Sequence, residues 1–179
     1  LIKNKIFIVI IIIVVIILLC ATLPWLVLWC GLYLSPNPSE PIIKYEEFPF
    51  ELVYELNGDK KYISDVLVCE YEGIGISENV GKHRKWSSRF LSGNEYIELL
   101  NINDKMIVYY NPGDPRYYMG DYNGEFVSDF PNCRYVKYND KGNLVEDGII
   151  NADEIYLKYS IKLLSWNIGS PVKNSFTNK

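Results

Sequence analysis

The chain has 179 residues, 49% of them hydrophobic and 22% charged, with 18 basic against 22 acidic side chains and a formal net charge of −4. Lys3 and Lys5 are the only charges in the first 34 positions, so the remainder carries 18 − 2 = 16 basic against 22 acidic residues, too acidic for a protein that tracks nucleic-acid phosphates. High apolar content and only four cysteines also exclude a disordered chain, a collagen-like repeat and a disulfide-dense miniprotein.

From Ile6 to Leu34 no residue is charged, and Ile6 to Leu19 is an unbroken run of Ile, Val, Leu and Phe. About 20 such residues in a helix cross the ~30 Å hydrocarbon layer, so residues 1–34 are predicted to be a cytoplasmic stub and a transmembrane signal-anchor helix. The run is too long for a cleavable secretory signal, and no small-x-small cleavage site precedes the polar region. Cys20 and Cys30 follow Leu19 and Trp29, which a lipid-modified cysteine would not, and they read as small apolar membrane residues. The early positive charges put the N-terminus in the cytoplasm and everything after the span outside. Trp25, Trp29 and Tyr33 suit the outer headgroup layer, and Pro24 marks a kink or the point where the helix leaves the membrane core.

Residues 35–47 form a Pro-rich linker, with Pro36, Pro38 and Pro41 favouring an extended spacer. Its reach of about 40 Å holds the following domain close to the bilayer. Residues 48–179 are predicted to form an extracytoplasmic β-rich domain, so the fold class is α+β: one transmembrane helix plus mostly antiparallel strands with one or two short helices. Phe50, Leu52, Tyr54 and Leu56 fall on one face with Glu51 and Glu55 on the other, and Asn57-Gly58 is a hairpin turn leading into a strand over Tyr62–Tyr71. Two further hairpins are predicted, Tyr96–Ile102 with Met106–Tyr110 about Asn103-Asp104, and Cys133–Tyr138 with Leu144–Glu146 about Asp140–Asn143. Between the first two, Trp86 and Phe90 at i, i+4 with Gly93 beyond them predict a short helix over His83–Leu91. Asn151 caps a second helix of about two turns, with Glu154 placed to close a capping box, and Leu164, Trp166 and Ile168 alternate as in a final strand.

His83 is the only histidine. No H-E-x-x-H, C-x-x-C, G-x-S-x-G or P-loop motif occurs, and Asp121–Gly124 lacks the oxygen spacing of a calcium loop, so neither metal nor cofactor is predicted. His83 followed by Cys133 has the order of the sortase histidine and cysteine. Cys133, however, follows Phe130-Pro131-Asn132 in place of a threonine-containing strand end, and Arg134 is the last arginine, so no later one is left to serve the reaction. A thiol enzyme using Cys133 or Cys69 with His83 is therefore the alternative reading, and a structural subunit of a membrane complex a second one. Cys69 and Cys133 are also candidates for a disulfide, which over a loop of about 64 residues would stabilise by roughly 4 kcal/mol. On the predicted helix Lys82, Lys85 and Arg89 fall at i, i+3, i+7 and make a basic stripe for anionic headgroups or wall polymers. Tyr109, Tyr110, Tyr117, Tyr118 and Tyr122, close to Pro112–Pro115, form a candidate aromatic platform for sugar or peptide.

The stretches Glu47–Phe50, Val68–Gly73, Gly81–Trp86, Arg116–Gly120 and Asn174–Phe176 together resemble those of small membrane-anchored proteins of Gram-positive gut bacteria that have no assigned activity. The resemblance implies a bacterial single-pass protein with an exported domain and carries no functional residues. The expectation is thus a membrane-anchored binding or accessory module of the cell envelope, more a binder than an enzyme. Its partners would be the bilayer through residues 6–34 and an envelope polymer, a peptide or another membrane protein.

Overall fold

The computed structural model describes residues 2–121, 130 and 132–177. They fall into two compact units: Leu1–Ser39 with Gly73–Lys85, and Glu40–Glu72 with Trp86–Lys179.

In the first unit, α1 (Ile2–Leu34) is a single helix whose segment Ile11–Leu34 is long and apolar enough to cross a membrane. Pro24 lies inside it and the helix continues for three further turns. Thr22 Oγ1 donates to Leu18 O at 2.9 Å, as a hydroxyl without water must. The rest of this unit is the far end of a hairpin formed by β3 (Asp59–Ser77) and β4 (Gly81–Phe90).

The second unit is antiparallel throughout. Among the described residues, one four-stranded sheet has the order β4, β3, β2 (Tyr45–Leu56), β9 (Ile161–Ile168). The other runs β5 (Ile97–Ile102), β6 (Met106–Tyr110), β7 (Cys133–Tyr138), β8 (Leu144–Ile150). All three predicted hairpins form, and Asn57 and Gly58 both take positive φ, 54° and 88°, in the turn that joins Leu56 to Asp59.

Alternation along β2 buries Phe48, Phe50 and Leu52. Tyr54 continues that face, and the register with β9 shifts by a bulge between Val53 and Tyr54. These residues meet Ile97, Leu99, Val108, Tyr110 and Cys133 of the opposite sheet in one core, the arrangement of a β-sandwich. Trp166 joins the two layers, its ring 4.8 Å from Phe50 and 4.6 Å from Tyr110.

The helix predicted from the Asn151 cap is α3 (Ala152–Tyr159). Asn151 Oδ1 accepts from Glu154 N at 2.8 Å, Ile155 is buried, and the Glu154 carboxylate pairs with Lys158. The helix predicted over His83–Leu91 does not form, because those residues belong to β4. A spacing of four is shared by the two periods, so Trp86 and Phe90 lie on one face of a strand as readily as on one face of a helix.

The other short helix is α2 (Pro115–Tyr118), where Asp114 caps the N-terminus by accepting from Arg116 N. The segment 40–43 and the C-terminal segment meet beside it. Asn174 bonds both Ile43 N and Ile43 O and also Met119 O, and β1 (Glu40–Pro41) pairs with β10 (Phe176–Thr177). Gly120 takes φ +65°, and a Cβ there would strike Val172 O, so the approach of the C-terminal segment requires glycine.

Candidate binding cleft

Where β4 ends and β5 begins, the second unit opens into a cleft of about 430 Å³. Ser88 and Arg89 come from the edge strand β4, Asn94–Ile97 from the segment entering β5, Tyr109–Gly113 from the end of β6, and Arg134 from β7. Strand register explains the neighbours. Tyr109 pairs with Arg134 across β6 and β7, so their side chains share a face, while the adjacent pair Tyr110 and Cys133 points into the core. Tyr96 stacks on Tyr109 with ring centroids 4.5 Å apart, giving the cleft an aromatic wall.

Two guanidinium groups line this cavity. Arg89 is exposed and makes no ion pair among the described residues. Arg134 reaches Asp147 through NH2 at 3.5 Å, but its Nε is buried with no hydrogen-bond partner among the described residues. A buried donor without an acceptor costs about 1–3 kcal/mol. An arginine in the lining of an open cavity suits an anionic oxygen. The tyrosine hydroxyls are held protonated. Hydrogen bonding to Tyr138, then burial, then Glu95 raise the pKa of Tyr96, and burial raises that of Tyr109. A second open cleft, of about 590 Å³, shares Phe90 and Asn94–Ile97 and continues past Asp65, Glu98 and Tyr138, so the charge lining the groove changes sign along its length.

The predicted tyrosine platform is divided. Tyr110 and Tyr118 are core residues at 1% and 2% exposure, burial raising both hydroxyls and the Tyr118 value to about 12. Tyr118 donates to Pro112 O, and Tyr117 packs edge-on against its ring. Tyr109 lines the cleft, and Tyr122 lies outside the described residues. Nearness to the Pro112–Pro115 loop suggests a surface for these tyrosines, but the short helix α2 turns Tyr118 inward. Sequence reasoning missed Tyr96 and Arg134 as lining residues. Their only signal was a position at, or one residue after, the start of a predicted strand.

The predicted basic stripe is also divided, since in a strand Lys82 falls on one face and Lys85 and Arg89 on the other. Arg89 lines the cleft. Lys82 belongs to the helix-bearing unit, where its Nζ donates to Ser35 O at 2.7 Å and lies 5.7 Å from the Tyr33 ring centroid. Lys85 is exposed on the same hairpin.

Cys69 and Cys133 are separate free thiols, exposed to 0% and 1%. Burial pushes the pKa of each up to about 12, with the Asp114 charge adding to that of Cys69. Neither presents a thiolate to solvent, whereas a nucleophilic cysteine requires a lowered pKa. His83 donates from Nδ1 to Gly81 O at 3.1 Å and covers Gly75 so closely that a Cβ there would sit 2.7 Å from its Nε2. Both features lock the ring into the hairpin. Among the described residues no cluster of three or more His, Cys, Asp and Glu side chains is arranged to hold a metal ion.

No protein-family model, curated protein or solved structure matches the chain.

Proposed function

We propose that the chain is a membrane-anchored binding module of a bacterial cell envelope. Its N-terminus is cytoplasmic, its β-rich domain lies outside, and its groove beside β4 and β5 takes a ligand bearing a carboxylate or similar anionic group. The observation that carries this reading is a cavity lined by two arginines, Arg89 and Arg134, the second of which has a buried Nε with no hydrogen-bond partner among the described residues. Two guanidiniums favour a planar anion, and the Tyr96–Tyr109 wall favours the flat face of a sugar or aromatic ring. The orientation rests on Lys3 and Lys5 preceding the span, and the envelope assignment on the resemblance to Gram-positive membrane-anchored proteins.

The test uses the full chain in lipid nanodiscs, with glucuronate and N-acetyltyrosine as probes and glucose and N-acetyltyrosinamide as their neutral counterparts, followed by calorimetric titration. At least one anionic probe is expected to bind while its neutral counterpart does not. Arg134→Gln is expected to weaken that binding about tenfold, corresponding to ~1.4 kcal/mol for one charge-assisted hydrogen bond. Equal binding of charged and neutral probes, or an Arg134→Gln chain that still folds and binds as the parent does, would overturn the assignment.

A further inference from the structure

The hairpin end Gly73–Lys85 clusters with the membrane helix and not with the β-sandwich sequence around it. Its attachment is to the last turn of α1 and the residues just beyond. Lys82 Nζ donates to Ser35 O at 2.7 Å, Arg84 NH1 donates to Ser39 O at 3.2 Å, and Gly81 lies against Leu32. The span Ile11–Leu34 rises about 36 Å at 1.5 Å per residue, slightly more than the ~30 Å hydrocarbon layer, so its C-terminal end comes out at the headgroups. A hairpin fixed to Leu32–Ser39 is thereby held at the same depth.

Its composition fits that depth. Val80 at the tip is 69% exposed, and Ile74 and Ile76 are exposed on the strand leading to it. Ile76 closes an open apolar trough of about 400 Å³ with Trp29, Cys30, Tyr33 and Leu34. The charge is reversed relative to the rest of the chain, since Lys82, Arg84 and Lys85 stand against the single carboxylate Glu78. Lys82 has no carboxylate partner among the described residues, and its bond to Ser35 O uses one of three ammonium protons.

We propose that Gly73–Lys85 is a second membrane-contacting element, seated in the headgroup layer beside the end of α1. Val80 and Ile76 meet the upper acyl region there, and the Lys82 ammonium binds the phosphate of an anionic phospholipid. The bilayer contact of this protein then includes a β-hairpin distant in sequence from the span. This inference is independent of the ligand proposed for the cleft.

The full chain carrying Cys20→Ser, Cys30→Ser and Val80→Cys takes a bimane label at the hairpin tip and is reconstituted in phosphatidylcholine vesicles. Brominated phosphatidylcholine or brominated phosphatidylglycerol is then introduced, and quenching of the label is read for each. Both lipids are expected to quench, the phosphatidylglycerol more strongly. Lys82→Gln is expected to lower that preference about fivefold, the counterpart of ~1 kcal/mol per basic residue at an anionic surface, while Lys82→Arg retains it. A label that neither lipid quenches overturns the seating of the hairpin, and a preference that Lys82→Gln leaves unchanged overturns the role of Lys82.

Discussion

At Cys69 and Cys133 burial decides the chemistry. Each thiol keeps its proton until the pH is near 12, against an ordinary value of 9.0. Below about pH 9 both folded and unfolded thiols are neutral and contribute nothing to the pH dependence. Between 9 and 12 the unfolded chain releases a proton that the folded chain still holds, so stability falls as pH rises, by up to about 1.4 kcal/mol per pH unit for each thiol. Buried tyrosines such as Tyr110 act in the same direction. Urea midpoints measured at about pH 8 and about pH 10.5 are therefore expected to drop more for the parent than for a Cys69→Val, Cys133→Val chain. Identical drops would mean that the thiols ionise in the folded protein. Neither cysteine's burial follows from spacing, but both fall in predicted strands, Cys69 in an apolar run, and that much was legible in the sequence.

At the scale of single elements, α3 is set by its ends. Asn151 satisfies an otherwise free N–H at the start, and Ser160 closes the helix in the left-handed region at φ 54°. Asn151→Ala is expected to cost about 1 kcal/mol. Ser160→Gly is expected to gain up to about 1 kcal/mol, because glycine carries no Cβ penalty at that φ. Chemical denaturation of the two variants checks both signs, and a destabilised Ser160→Gly would show that its side chain contributes more than its backbone strain. The capping signal and the paired turn residues Asn57-Gly58 were readable because they act within a few residues. Segment 81–90 was not, since Trp86 and Phe90 satisfy the helical and the extended period together. Pairing with β3 settles it as a strand, and Trp86 is fixed there by its Nε1 donating to Asp121 Oδ2 at 2.8 Å.

For the whole molecule, the one span-length apolar helix among the described residues, followed by a β-sandwich unit, fits a single-pass topology whose direction is open to direct test. Lys141 lies in the exposed β7–β8 turn, and Lys3 and Lys5 precede the span. A membrane-impermeant amine reagent is expected to modify Lys141 in intact cells, and Lys3 and Lys5 only after lysis, read by peptide mass spectrometry. The reverse pattern would invert the orientation and remove the envelope ligand from the proposed function.

The apolar helix, three hairpins and α3 were written in the sequence, because each depends on composition or on contacts a few residues apart. The binding cleft was decided only by the tertiary structure. Arg89, Tyr96, Tyr109 and Arg134 sit on four separate segments, and it is the antiparallel register of β6 with β7 and the turn from β4 into β5 that bring them to one cavity. The two divided predictions have the same origin. A strand sends alternate residues to opposite faces, so Tyr109 and Tyr110, or Lys82 and Lys85, part company once the backbone is extended.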